Sequence, residues 1–396
     1  MRVAGVICEY NPLHSGHEWM LRQVRQQGAE AIVCAMSGNF VQRGEAAIVD
    51  KFARAEMAVR CGADLVLELP TPWSAATAEV FARGGAEVLW RTGVVTDLAF
   101  GSECGDAAAL TALAAVLDSE DYAHHLRTLL ERGESFAVCR QKAAAMLAGE
   151  EAAALLTGAN NNLGIEYCRA FRRLGAEINI LTVPRTGAGH DGAPEDGIAS
   201  ASYIRQLLCS GRTEEALPYL PAAAAEVLGR ELAAGRAPAR LANCERAILA
   251  RLRTMSEEDF APYDGGGEGL YRRFYRAVRS CTTSEAILDE AKTKRYTHAR
   301  LRRMMLHAWL DMKETPRQVP YLRLLAANDT GRKLLRQMRG SGAPVLTKPA
   351  DVAALGSEAE ALFTQEAART DLYTLTYPDL RHSLCGQDWR ATPLML

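Results

Sequence analysis

The sequence predicts an α/β protein, a doubly wound parallel sheet followed by a mainly α-helical second part. Two observations carry this expectation. Over the first 205 residues, short runs rich in Val, Ile and Leu alternate with helical patterns, as expected for strands buried on both faces and joined by crossovers. After about residue 206 the β-like runs disappear and Ala-, Leu-, Arg- and Glu-rich segments take over. A chain of 396 residues suits two domains, divided here as 1–205 and 206–396.

The first strand is expected over 2–8 (RVAGVIC), the second over 29–37, the third over 63–70, the fourth over 95–103 and the fifth over 176–185. Each is short, apolar and β-branched. Helical patterns fill the intervals at 16–27, 50–61, 74–91, 106–131 and 161–174. The second part carries them at 213–234, 242–255, 268–280, 284–291, 297–312 and 329–338, with breakers at GRAP (235–238), YDGGGEG (263–269) and GSGAP (340–344). The Gly-rich 263–269 lacks a preceding strand and a following Lys-Ser/Thr, so it predicts a connector instead of a phosphate loop. The segment 355–396 carries no clear pattern.

Apolar residues make up 48% and charged residues 24%, which suits a soluble globular protein. No run approaches a membrane span, and the acidic, short-runned N-terminus does not resemble a secretory signal. Ten cysteines without a C-x-x-C pair argue against structural zinc and a disulfide framework, and a cytoplasmic, reduced setting is expected. A net charge of −2 gives no global nucleic-acid signature, so such a signal must be local.

The stretch ICEYNPLHSGHEWML (7–21) joins the first strand to the first helix. Asn11-Pro12 stops the strand. His14 and His17, three apart, face one point at the helix N-terminus, and Gly16 lets a ligand approach the backbone. Free N–H groups and the positive end of the dipole suit an anion there. Two imidazole donors fixed where charge builds is what attack on an α-phosphate requires. A surface histidine pair and a metal pair are the other readings; the latter lacks a third ligand and i, i+4 spacing. Ligands bind at the carboxyl ends of strands in such sheets, which favours the phosphate reading.

This stretch resembles the H-x-G-H signature of the nucleotidyltransferase-like superfamily. A narrower match follows from MSGNFVQRGEAAIVDKFARAEMAVRCGADLVLELP, FGSECGD, NNNLGIEYCRA, IASASYIR, TKRYTHARLRRMMLHAWL and PYLRLLAAN, in that order. Together they resemble the bacterial tRNA(Met) cytidine acetate ligase family over nearly the whole chain. The resemblance implies a HIGH-type, Rossmann-like nucleotidyltransferase domain. It implies a ligase that activates acetate with ATP as acetyl-adenylate, releases diphosphate, and acetylates N4 of the wobble cytidine of elongator tRNA(Met). Mg²⁺ would accompany ATP; no membrane or protein partner is implied. The ATP contacts it implies are Ile7, Cys8, Glu9, Tyr10, Asn11, Pro12, Leu13, His14, Ser15, Gly16, His17, Glu18, Trp19 and Met20, with Gly101, Asn160 or Asn161, and Arg185. Asn162 stands where the family usually has an apolar residue, which leaves the asparagine register open by one position.

Other motifs extend the list. Ser200, Ser202 and Arg205 in IASASYIR resemble phosphate contacts of related transferases; a Ser-capped helix with a solvated Arg is the equal alternative. The polar loop 37–58 is richer than a connector needs, and Asn39, Arg43 and Lys51 are expected to line an acetate and cytidine pocket. KTKRYTHARLRR (292–303) holds six Lys/Arg; Lys292, Lys294, Arg295 and Arg302 are expected to bind tRNA. Two other functions remain open. One is a nucleotidyltransferase adenylylating a small phosphate-bearing metabolite, and the other a non-catalytic RNA-binding protein that senses ATP.

Overall fold

A computed structural model describes residues 1–132, 134–185, 198–265, 269–293, 296–340 and 342–396. Five parallel strands form the centre: β1 (Val3–Cys8), β2 (Ala31–Ser37), β3 (Leu65–Leu69), β4 (Asp97–Ser102) and β5 (Asn179–Pro184). Their spatial order is 3-2-1-4-5. Val3 pairs with Ala31 and Ala4 with Asp97, so the order reverses between β1 and β4. A crevice opens at the carboxyl ends of strands at such a reversal.

Side chains alternate across the sheet. Val3, Ile7 and Phe100 face one core with Phe81, Leu89 and Tyr167. Ala4, Val6 and Ala99 face the other with Leu13, Leu21 and Val24. The first helix, α1 (Ser15–Gln26), lies on the second face. Helices Ala78–Arg91 and Ala159–Arg173 pack on the first.

The second part adds strands that the sequence pattern did not reveal. β6 (Leu322–Ala327) pairs antiparallel with β3, Leu65 against Ala327, and extends the sheet. Two short strands, Val345–Leu346 and Leu394–Met395, lie parallel to β6. LRLLAA is composed of good helix formers and has a charge at its second residue, so propensity points away from a strand. Tertiary pairing overrides it. The rest of the part is largely helical and packs a third core around Phe40, Phe260, Phe274, Trp309 and Tyr373. No helix among the described residues is long and apolar enough to cross a membrane.

Arg323, the charge in β6, is part of a buried cluster. Lys51 Nζ, at the start of α2 (Lys51–Arg60), lies 2.7 Å from Glu68 Oε1 and 2.8 Å from Asp388 Oδ2. Arg323 Nη1 lies 3.3 Å from Glu68 Oε2 and 2.9 Å from Asp388 Oδ2. All four are buried. Burial alone would push the Asp388 carboxyl up, but Lys51 and Arg323 hold it down at about 2. Removing one cation leaves buried charge uncompensated. Lys51→Met is therefore expected to lower the unfolding free energy by about 3–5 kcal/mol, checked by urea denaturation.

Candidate functional site

The chain leaves β1 through Tyr10, whose φ of 47° is rare outside glycine. His14, extended at φ −129° and ψ 172°, is the N-cap of α1. Its Nδ1 accepts from the Gly16 N–H at 3.1 Å. His17 reaches back so that its Nδ1 accepts from the His14 N–H at 3.3 Å. The pair forms a reciprocal capping box made of imidazoles. Their rings stack at 3.7 Å, and Tyr10 meets His17 edge-on at 5.0 Å. Gly16 leaves room for the His14 ring: a Cβ would lie 3.0 Å from His14 Cε1.

Because both Nδ1 atoms accept backbone protons, each neutral ring carries its own proton on Nε2. Burial, then Arg185 and Arg205, lowers His14 to about 3. Burial, then His14 and Arg185, lowers His17 well below its ordinary value. At neutral pH both are uncharged donors.

Five other segments complete the cleft. Gly101 and Ser102 end β4; a Cβ on Gly101 would lie 3.4 Å from Arg185 Cγ. Arg185, just past β5, donates its N–H to Ser102 O at 2.9 Å and its Nη1 to Asn160 Oδ1 at 3.2 Å. Ser200 caps helix Ala201–Cys209 through Tyr203 N. Arg205 donates to Asn11 O at 2.9 Å and Ser202 Oγ at 3.2 Å. A hairpin, Phe40–Val41 against Glu45–Ala46, brings Gln42, Arg43 and Glu45 to the rim. Two helix N-termini and Arg43, Arg185 and Arg205 thus face one cavity whose described carboxylates are Glu9 and Glu45. Such an arrangement of donors and positive charge suits a polyanion.

Of the stretch 7–20, Ile7, Cys8, Glu9, Tyr10, Asn11, His14, Gly16, His17, Trp19 and Met20 line the cavity. Pro12, Leu13, Ser15 and Glu18 do not: Leu13 is core, Ser15 Oγ donates to Tyr219 O at 2.9 Å, and Glu18 pairs with Arg22 at 2.9 Å. Asn160 lines it. Asn161 is buried with its Oδ1 accepting from Glu103 N at 3.0 Å and Cys104 N at 3.2 Å. Asn162 binds Arg140 at 2.8 Å.

Two expectations are corrected. Lys51 belongs to the buried ion cluster, and Asn39 bonds Thr370 Oγ1 at 3.3 Å and Lys51 N at 3.0 Å. Neither lines the cavity; of that group only Arg43 does. Arg302, on helix His298–Trp309, is drawn to Glu45 Oε1 at 3.0 Å. Lys292 is exposed, and Lys294 and Arg295 lie outside the described residues.

Sequence reasoning missed an apolar flank, Phe81, Phe100, Leu163 and Tyr167, which no polar pattern marks. It also missed the role of Arg54. This fully buried guanidinium donates to Val49 O at 2.9 Å, Glu9 O at 2.6 Å and Gly38 O. A charged residue on the buried side of helix α2 was the available signal.

A 3-2-1-4-5 sheet with stacked histidines at a helix N-terminus over its switch point defines a HIGH-type nucleotidyltransferase. The HIGH Nucleotidyl Transferase family model matches residues 1–388. Curated relatives named tRNA(Met) cytidine acetate ligase include one from Syntrophomonas wolfei, 34% identical over 100% of this chain and 99% of its own. Another, from Acetivibrio thermocellus, is 33% identical over 100% of both. The crystal structure of Thermotoga maritima TmcAL bound with alpha-thio ATP superposes with a TM-score of 0.93 at 32% identity, covering 100% of both chains. Its apo form gives 0.94 at 32% identity, again over 100% of both chains. The chain belongs to the tRNA(Met) cytidine acetate ligase family.

The neutral, buried histidines tie stability to pH. The unfolded rings bind protons below about 6.5, whereas His14 does so only near 3, and His307, on helix His298–Trp309 with Nε2 2.8 Å from Ala75 O, is lowered by burial to about 4. Stability is full above 6.5 and falls as pH drops towards these values. In His14→Gln the slope between pH 6 and 4 should shrink by about 1.4 kcal/mol per pH unit, measured by denaturation at stepped pH.

Proposed function

We propose that the protein is an ATP-dependent ligase that activates acetate as acetyl-adenylate and acetylates N4 of the wobble cytidine of elongator tRNA(Met), releasing AMP and diphosphate. The observation that carries this reading is the pair of neutral Nε2–H donors at the α1 N-terminus, facing the same cavity as Arg185 and Arg205. Full-length relatives of that name support it.

The phosphates lie over the two helix N-termini. His14 and His17 donate to the α-phosphate, and Arg185 and Arg205 neutralise the chain of phosphates. Acetate attacks phosphorus and diphosphate leaves, so the residues act by position and charge without a covalent intermediate. The adenine rests on the apolar patch of Trp19, Met20, Val183 and Ile198, which line the same cleft. Asn160 anchors Arg185. Magnesium, accompanying ATP, would supply charge neutralisation at the phosphates. The cleft's described carboxylates do not form a three-ligand group, so phosphate oxygens and water would hold the ion.

The RNA docks along the basic segment of Lys292, Lys294 and Arg295. Arg302 acts indirectly: with Arg303, whose Nη1 donates to Gln42 O at 3.3 Å, it fastens the rim hairpin to helix His298–Trp309. Gly44, at φ 76°, makes that approach feasible, since a Cβ would lie 2.6 Å from Arg303 N.

Purified protein should convert ATP to AMP and diphosphate only with acetate and tRNA(Met), adding an acetyl mass to one cytidine. His14→Ala should slow adenylate formation by about 10²–10³-fold. Diphosphate release that ignores acetate would favour a small phosphate acceptor. Binding of ATP and tRNA without turnover would favour an ATP-sensing RNA-binding protein.

A further inference from the structure

The cleft has two chemically distinct flanks on opposite faces of the sheet. Towards α1 it carries the histidines, the two helix N-termini and Arg205, while Arg185 reaches across to Asn160 at the start of helix Ala159–Arg173. Towards helix Ala159–Arg173 it carries Phe81, Phe100, Leu163 and Tyr167. The Phe100 and Tyr167 rings meet edge-on at 5.8 Å, and Phe81 lies 6.5 Å from Tyr167. A flat, weakly polar ring suits this flank, and polyphosphate does not.

Glu9 stands at the end of β1 and lines the cleft. Phe100 and Tyr167 line the same cleft. Glu9 Oε1 accepts from Gln42 N at 2.9 Å. Among the described residues Oε2 has no hydrogen-bond partner, and the half-buried side chain lines the cavity. The cleft's other carboxylate, Glu45, is held by Arg302 at 3.0 Å. A carboxylate with one oxygen fixed and the other without a described partner, in a cleft with an aromatic flank, matches a base ring bearing an exocyclic amine.

We propose that the acceptor cytosine rests against the flank lined by Phe81, Phe100 and Tyr167, and that Glu9 Oε2 accepts the N4 proton as this amine attacks the acetyl carbonyl. The inference rests on the ligase reading and assigns a catalytic residue to its second step. The N4–carbon bond forms and the carbon–oxygen bond to the AMP phosphate breaks. AMP leaves with the bonding electrons, and the proton passes from N4 to Glu9 and on to solvent. An amine conjugated to its ring becomes strongly acidic as it attacks, so a neighbouring carboxylate suffices as acceptor.

The groups facing Glu9 are Arg43 on the hairpin, Arg54 on α2, Arg205 on helix Ala201–Cys209 and Tyr167 on helix Ala159–Arg173. Burial raises the Glu9 carboxyl, and the Gln42 N–H and the three arginines oppose that rise. The transfer rate should therefore fall as pH drops through a raised carboxyl value.

The test separates the two half-reactions. Acetate-dependent ATP–diphosphate exchange reports adenylation, and single-turnover transfer from preformed acetyl-adenylate to tRNA(Met) reports the second step. Glu9→Gln keeps the Gln42 contact and should slow transfer by about 100-fold or more while exchange falls far less. The acidic fall in the transfer profile should vanish. Glu9→Asp should keep that fall with a smaller loss of rate, which covers a poorly folding Gln variant. Equal loss of both half-reactions, or a transfer rate within a few-fold of wild type, would overturn the assignment. Wild-type protein without acetate-dependent exchange would overturn the ligase reading, and this assignment with it.

Discussion

The buried cluster of Lys51, Glu68, Arg323 and Asp388 is the constraint from which much of the structure follows. Two cations and two anions out of water are tolerable only while all four are in place. Arg323 can meet Glu68 only if β6 pairs with β3 in the observed register, because a slip of one residue would turn it to the opposite face. Asp388 closes the set, so the short helix Gln387–Arg390 is tied to the same point. Charge compensation thereby joins the two ends of the chain to one sheet.

The constraint reaches the cleft through α2. Lys51 fixes where this helix begins, and Asp50 caps it through Phe52 N and Ala53 N. One turn on, Arg54 gathers the carbonyls of Glu9, Gly38 and Val49. These carbonyls belong to the two loops that carry the site, after β1 and after β2. The histidines depend on their own local device. By capping α1 with Nδ1, they cannot offer that atom as a base, and burial keeps them neutral. They are left as fixed donors of one kind, which suits charge stabilisation and rules out a proton-abstracting role for Nδ1.

Much of this was legible in the sequence where the signal is local. The five parallel strands appear within a few residues of their expected positions, and His14, Gly16 and His17 act together because they are contiguous. Helix breaks were harder. The pattern at 106–131 is two helices, Ala107–Leu117 and Glu120–Leu130, parted at Ser119, which caps the second. The helical stretch Phe136–Ala154, broken at Gly149, carries no marked pattern. Features created by tertiary contact were illegible. Lys51 sits in a polar loop-to-helix segment that resembles a ligand site, and only Glu68 and Asp388, far away in the chain, explain it. Three contiguous asparagines look alike in sequence; only tertiary contact separates Asn161, which accepts from Glu103 N and Cys104 N, from Asn160, which lines the cavity. Phe81, Phe100 and Tyr167 come from three elements and look like ordinary core.

The reversal of strand order explains why such a cleft can hold two dissimilar chemistries. Between β1 and β4 the connections diverge to opposite faces, so the crevice at their ends is open to both. One face can then be built from helix N-termini and guanidiniums, where stored positive charge is an advantage only for phosphate. The other can be built from aromatic rings, where the same charge would repel little and bind nothing. A carbonyl activated at the seam keeps its leaving phosphate on the cationic side. The opposite side stays free for a neutral ring to approach. Separation of charge from ring is a property of the topology, and the side chains of each face refine it.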